Sequence, residues 1–209
     1  MDISPKDRKE IRQMAKRRAI IKAARKILAD PKQEFNAAAI ARELGWNLPG
    51  IYYYFENIQA IKEALIVDLI DLSVKITLDA GKRGATATES LLLAFEARVR
   101  YYMDNPNEFD LTWSTFGTSN TSQEFLEAHL YPPIQQMTLW FVKRLEIDKT
   151  KGLIHKDVPS RKLMSLMTFM AQGMVANYLT LQRAKGSMYF PLDEMIQEGK
   201  RILQAALKT

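Results

Sequence analysis

The sequence predicts an all-α protein of about nine helices. Three observations carry this. Apolar residues recur at spacings of three and four over long stretches, as in Ile61, Leu65, Leu69, Leu72 and Ile76. Residues that cap helix starts (Asn36, Asn47, Asn57, Thr86, Thr121) precede those stretches, and Gly or Pro follows them. No convincing alternating run suggests a strand.

Taken in order, Met1 to about Glu10 reads as a disordered basic arm, with Pro5 arguing against an early helix. A helix then runs from about Ile11 to Ala29, with Met14, Ile20, Ala24, Ile27 and Leu28 on one side and Asp30-Pro31 as its stop. Asn57 caps a long helix from Ile58 to about Asp79, which Gly81-Lys82-Arg83-Gly84 ends. Thr86 and Glu89 form a capping box for a helix to about Asn105. Pro106 breaks it, and Asn107 to Phe116 forms a short aromatic helix. Thr121 with Glu124 opens a helix to about Ile147, bent by Pro132-Pro133. Asp148 to Val158 is a polar connection. The last two helices span about Pro159 to Lys185 and Pro191 to Leu207, separated by Gly186 and Tyr189-Phe190.

The stretch Asn36 to Phe55, NAAAIARELGWNLPGIYYYF, is the most informative. Asn36 caps a short helix and Gly45 closes it in a left-handed conformation. Asn47 caps a second helix, Leu48 to Tyr54, with Pro49 in its first turn, where a missing N–H removes no bond. Ile40, Leu44 and Ile51 supply a shared core, and Ala41 lets the two helices approach. This is the spacing of a helix-turn-helix, although a buried helical hairpin has it too. Tyr52, Tyr53 and Tyr54 point about 100° apart, so at least one faces outward.

Charge adds to that reading. Of 209 residues with a net charge of +6, residues 1 to 26 hold ten Lys or Arg against Asp2, Asp7 and Glu10, a local balance of +7. The remaining 183 residues therefore carry −1. Basicity belongs to the segment directly before the motif, which suits phosphate contact better than a merely solvated tail.

Other chemistries find little support. There is no cysteine, hence no disulfide or thiolate metal site. His129 and His155 lie in no metal-binding spacing, and no dinucleotide fingerprint, nucleophile elbow or phosphate loop occurs. Neither an enzyme, a cofactor nor a metal is expected. No apolar run of membrane-spanning length and no secretory leader is present, so a cytoplasmic location and no membrane partner are expected.

Residues from about Arg18 to Leu65 resemble the DNA-binding domain of the TetR family of bacterial transcriptional repressors. The resemblance rests on Ile20 to Ala29, on Asn36, Ile40, Ala41 and Gly45, on Ile51-Tyr52-Tyr53-Tyr54-Phe55, and on the capping Asn57. It implies a DNA-binding domain over 1–56 and a helical effector-binding and dimerisation domain over 57–209. The expected partners are double-stranded operator DNA, a second copy of the chain, and a small-molecule effector. Family members commonly carry Lys where Leu48 stands and Thr at Gly50, so this recognition helix departs from the pattern. It lacks Lys, Arg and Glu, so an Arg fork on guanine is not available to it.

Candidate DNA contacts are Asn36, Asn47, Leu48, Pro49, Gly50, Tyr52 and Tyr53, with Lys16, Arg17, Arg18 and Lys22 on the backbone. Leu48 and Pro49 would meet thymine methyls, while Tyr52, Tyr53 and the helix N–H groups grip phosphates. For an apolar effector pocket the aromatic and Met-rich set gives Tyr102, Trp113, Phe116, Met137, Trp140, Phe141, Met170, Met174 and Asn177 as candidates, although such residues also suit an ordinary core. For the dimer interface, the resemblance points to the last two helices and Leu163, Met167, Met170, Met174, Tyr178, Met195, Ile196, Gly199 and Leu203. A helical protein-interaction adaptor without DNA specificity is the alternative reading.

Overall fold

The computed structural model describes residues 4–117, 121–186 and 190–208, and among them there are nine helices and no strand. The first is longer than expected. Helix α1 spans Pro5–Ala29, because Ser4 accepts a hydrogen bond from the Asp7 N–H and Pro5 takes the first helical position, where proline is well tolerated. The expected arm is thus helix from Pro5 onward. Met14 also departs from its expected place on the packed face and is exposed.

Helix α2 (Ala37–Leu44) is capped by the Asn36 side chain, which accepts from the Ala39 N–H at 2.8 Å. Gly45 closes it at φ 66°, the left-handed region in which glycine pays no Cβ penalty. Helix α3 (Leu48–Tyr52) begins at Asn47, whose side chain accepts from the Gly50 N–H at 2.9 Å. It ends two residues before the expected Tyr54.

Helix α4 (Ile58–Lys82) continues beyond Asp79 and takes in Gly81, where a Cβ would lie 2.6 Å from Phe141 Cζ. That close approach is the reason for glycine there. Its first half completes the apolar cluster of the N-terminal head, with Ile61, Leu65 and Leu69 against Ile20, Ile27, Ile40, Ile51 and Phe55. The head's packing therefore extends past the expected division at residue 56. Its second half joins the larger core. Leu72 and Ile76 are only partly buried, while Ser73 and Thr77 are fully so, with Thr77 donating to the Ser73 carbonyl at 2.7 Å.

The larger core is built on α5 (Ala87–Asp104), which packs against α4, α7, α8 and α9. Half of the expected capping box forms: Thr86 accepts from the Glu89 N–H, while the Glu89 carboxylate accepts from the Ala85 N–H rather than from that of Thr86. Asp148, expected in a polar loop, is instead buried in a helix and accepts from the Ala87 N–H at 2.7 Å, joining two elements. Helix α6 (Pro106–Gly117) follows.

Helix α7 is one helix in three parts, Gln123–Phe125, a π-helical turn Leu126–Leu130, and Tyr131–Thr150. Its cap is Ser122, accepting from the Phe125 N–H, one residue after the expected Thr121. The bend expected at Pro132-Pro133 is met by the wider turn. Neither proline can donate to the carbonyl four residues back, and the Tyr131 N–H reaches Leu126 O instead. Helices α8 (Ser160–Arg183) and α9 (Leu192–Ala206) close the fold. Tyr189 lies outside the described residues.

Candidate nucleic-acid interface and ligand cavity

The head presents an outward face on α3. Ile51 is fully buried and fixes the helix, while Leu48 is 40% exposed, Tyr52 45% and Tyr53 69%. Asn47 and Pro49 are also exposed, and Gly50 and Asn36 are half-buried at helix starts, their neighbouring N–H groups held by the caps. Two of three phenols therefore point away from the core. Tyr54 does not: it packs edge-on against Tyr53 at 4.9 Å and lies near Trp46.

Because α1 starts at Pro5, its first turns stand beside this face. Arg8, Lys9, Arg12 and Gln13 line a groove with Tyr53 and Tyr54, enclosing about 390 Å³. Nothing in the sequence singles out this groove, because Pro5 argues there against a helix through the first ten residues. All four basic candidates on α1 are exposed, and Arg18 and Lys22 stand clear of the aromatic rings of the head. Arg17 is committed elsewhere: its guanidinium donates to Tyr54 O and lies 4.0 Å from the centre of the Phe55 ring. It braces the end of α3. Lys16 sits 4.6 Å over the Trp46 ring.

A second concavity of about 380 Å³ lies in the larger core, between α4, α5, α6, α7 and α8. Of the residues expected there, Tyr102, Trp113, Phe116 and Met137 line it. The other five do not. Phe141 fills the space above Gly81, with Trp140 edge-on to it. Met174 reaches toward Gly199, Asn177 is exposed and donates to the Gly173 carbonyl, and Met170 packs on the core from the side. These five follow the same helical spacing as the lining residues but sit on other faces of their helices. The lining also contains Arg98 and Gln172.

Helix α6 links cavity and head. Phe109, Thr112, Trp113 and Phe116 face the cavity, while Glu108, buried, accepts from Arg25 Nε of α1 at 2.6 Å and from the Tyr101 phenol. Asn107 donates to the Leu28 carbonyl at 2.8 Å. Burial and the Glu108 carboxylate push the Tyr101 phenol well above its usual range, so it stays protonated.

The residues expected at a dimer interface are mostly turned inward. Leu163, Met167, Tyr178, Ile196, Gly199 and Leu203 are buried in the chain's own core, and a Cβ on Gly199 would lie 2.7 Å from Phe95 Cζ. Only Met170, Met174 and Met195 are partly accessible. The apolar side chains that α8 and α9 leave exposed are Leu166, Phe169 (65%) and Ile202. The stripe was right for helix packing, but it faces the chain's own α5. Among the described residues no cluster of metal-ligating side chains occurs, and no helix is long and apolar enough to cross a membrane.

No protein-family model and no curated protein matches the sequence. Solved structures do match. A TetR family transcription regulator from Marinobacter aquaeolei VT8 superimposes with a TM-score of 0.67 at 21% identity, covering 95% of this chain and 98% of its own. The fatty acid degradation regulator FadR from Bacillus halodurans gives 0.66 at 15% identity, over 98% and 97%. FadR from Bacillus subtilis, in complex with stearoyl-CoA, gives 0.64 at 17%, over 90% and 97%. Over nearly its whole length, then, this chain has the fold of the TetR-family transcriptional regulators.

Proposed function

We propose that this protein is a DNA-binding transcriptional regulator, a repressor that holds a palindromic operator as a homodimer and lets go when a small apolar effector fills the cavity. The observation that carries the reading is the outward face of α3, where Leu48, Tyr52 and Tyr53 stand exposed beside the Arg8, Lys9 and Arg12 groove. Leu48 and Pro49 meet thymine methyls, Tyr52 and Tyr53 donate to phosphates, and Arg18, Lys22 and the first turns of α1 follow the backbone. Lys16 adds to them from above Trp46.

One short helix reads few base pairs, so a two-fold pair reading half-sites about one helical turn apart supplies the missing contacts. The partner copy meets the exposed Leu166 and Phe169 of α8 and Ile202 of α9. An apolar effector is in keeping with the cavity lining and with the stearoyl-CoA bound by the Bacillus subtilis neighbour. The protein acts in the cytoplasm, without enzymatic activity of its own.

Selection of bound duplexes from a random pool tests this directly. An enriched palindrome is the expected outcome. Binding without sequence enrichment, or none at all, would favour the adaptor reading instead.

A further inference from the structure

The cavity holds one group that its apolar wall does not explain. Arg98, on α5, lines it and is only 8% exposed. Its Nε has no hydrogen-bond partner, and among the described residues the guanidinium makes no ion pair. Its one charge-type contact is the Tyr102 ring, 5.9 Å from centre to centre. Glu96 of α5 is paired with Lys200 and Arg100, and Glu108 of α6 with Arg25 and Tyr101. A guanidinium keeps its proton in any protein environment, so it cannot escape burial by becoming neutral. Burying it without a counter-charge is costly, and a site that accepts this cost is completed by an anion.

The other polar groups fit the same occupant. Thr112 and Thr168 donate to carbonyls of their own helices, and Tyr102 donates to Ser73 Oγ at 3.1 Å. The half-buried Gln172 amide has no hydrogen-bond partner among the described residues. The remaining wall is hydrocarbon and aromatic, with Ile70, Val74, Phe109 and Met137 prominent.

We infer that the ligand of this cavity is an amphipathic carboxylic acid in its anionic form, its carboxylate paired with Arg98 and its hydrocarbon body against the apolar wall. The inference rests on the cavity being the effector site of the proposed regulator, and it specifies the chemical class. A fork of guanidinium N–H groups suits the two oxygens of a carboxylate. At about 380 Å³ the space lies toward the small end for ligand pockets, which favours a free acid over an acyl group bearing a nucleotide.

The test is calorimetric titration of the full-length protein, without DNA, with decanoate, naphthoate, 1-decanol and decanoyl-CoA. Intrinsic tryptophan fluorescence, to which Trp113 contributes from the cavity wall where it stacks on Phe109, gives a second readout. Decanoate is expected to bind on the order of tenfold to a hundredfold more tightly than 1-decanol, the usual advantage of a charge-assisted hydrogen bond. Arg98→Met abolishes that preference and melts higher than the parent when unliganded, because an unpaired buried charge is gone. Arg98→Lys keeps part of the preference. Equal affinity for acid and alcohol, a preference that survives in Arg98→Met, binding of neither acid, or tighter binding of decanoyl-CoA than of decanoate would each overturn the inference. A gel shift on the selected operator keeps the two readings apart. Acid that binds through Arg98 without releasing DNA upholds the ligand class and removes the regulatory role.

Discussion

Glu108 on α6 accepts two hydrogen bonds from the Arg25 guanidinium on α1, at 2.6 and 3.2 Å, across 83 residues of chain. The carboxylate is buried while Arg25 keeps 33% of its side chain exposed, and the guanidinium is held above its usual range by that hydrogen bond. The helix that forms one wall of the cavity is thereby fastened to the helix that carries the head's positive charge. If an effector fills the cavity as proposed, a shift of α6 would be carried to α1 through Arg25.

Arg25→Ala leaves a buried carboxylate with Tyr101 as its remaining partner. Removing one member of a buried pair is strongly destabilising, but partial exposure of Arg25 lowers the figure to on the order of 2 kcal/mol. Urea unfolding of the two single variants and of Arg25→Ala/Glu108→Ala measures the coupling. The double variant should be less destabilised than the singles sum to. Strict additivity would show that the pair does not act as a unit.

Tyr101 gives this network a pH signature. Its phenol has a raised pKa in the folded state, from burial first and then from the Glu108 carboxylate. A raised folded value means the folded state holds the proton longer. The stabilisation is fully present below the unfolded tyrosine value of about 10 and is lost as pH climbs through the folded value. Tyr101→Phe should flatten the alkaline limb of the stability curve, measured by denaturant titration at several pH values. An alkaline limb unchanged by the substitution would count against it.

The basic residues of α1 divide into two kinds. Arg18→Ala or Lys22→Ala should each reduce the salt slope of operator binding by about 1, without altering melting temperature. Arg17→Ala should lower the melting temperature as well, since Arg17 braces Tyr54 O and the Phe55 ring. Deleting residues 1 to 9 removes Lys6, Arg8, Lys9 and the Ser4 cap, and should flatten the slope by up to about 3. Slopes that do not move would show these residues idle on DNA.

Tyr53→Ala should weaken operator binding about tenfold, the loss of one hydrogen bond to a charged oxygen, while the dimer persists. Gel shift and analytical ultracentrifugation report the two quantities separately. Unchanged affinity would remove Tyr53 from the interface.

Gly199 and Phe169 separate packing from association. Gly199→Ala drives a methyl toward Phe95 and should cost about 1–3 kcal/mol of stability. Phe169→Asp, on an exposed side chain, should leave monomer folding intact and dissociate the dimer in sedimentation. A dimer unaffected by Phe169→Asp would place the partner elsewhere.

Local chemistry was the legible part of this sequence. Asn36, Asn47, Asn57 and Thr86 each cap the helix they were expected to cap, because the side chain and its N–H target lie three residues apart and need nothing from the rest of the fold. Helical geometry alone requires at least one outward phenol among Tyr52, Tyr53 and Tyr54, and the structure exposes Tyr52 and Tyr53. Most of what the sequence misplaces depends on distant partners. Pro5 is a local exception: it reads as a breaker, although the Ser4 cap beside it makes it an opener. The stripes of α8 and α9 were visible, but spacing does not say whether a stripe meets its own α5 or another chain. Arg98 is not legible in the sequence at all. One arginine among thirty basic residues carries no mark in sequence, and its significance arises only from burial without a counter-charge.

The unbroken run of α1 from Pro5 to Ala29 has a practical consequence. Twenty-five helical residues form a rod roughly 37 Å long, secured over its second half by Arg25 and by the buried Ile20, Ala24 and Ile27. A small tilt at the anchored end becomes a large sweep at the tip, where Arg8 and Lys9 sit. Affinity handles fused ahead of Ser4 would load that tip with foreign mass and distort any measured affinity, so purification tags belong after Lys208.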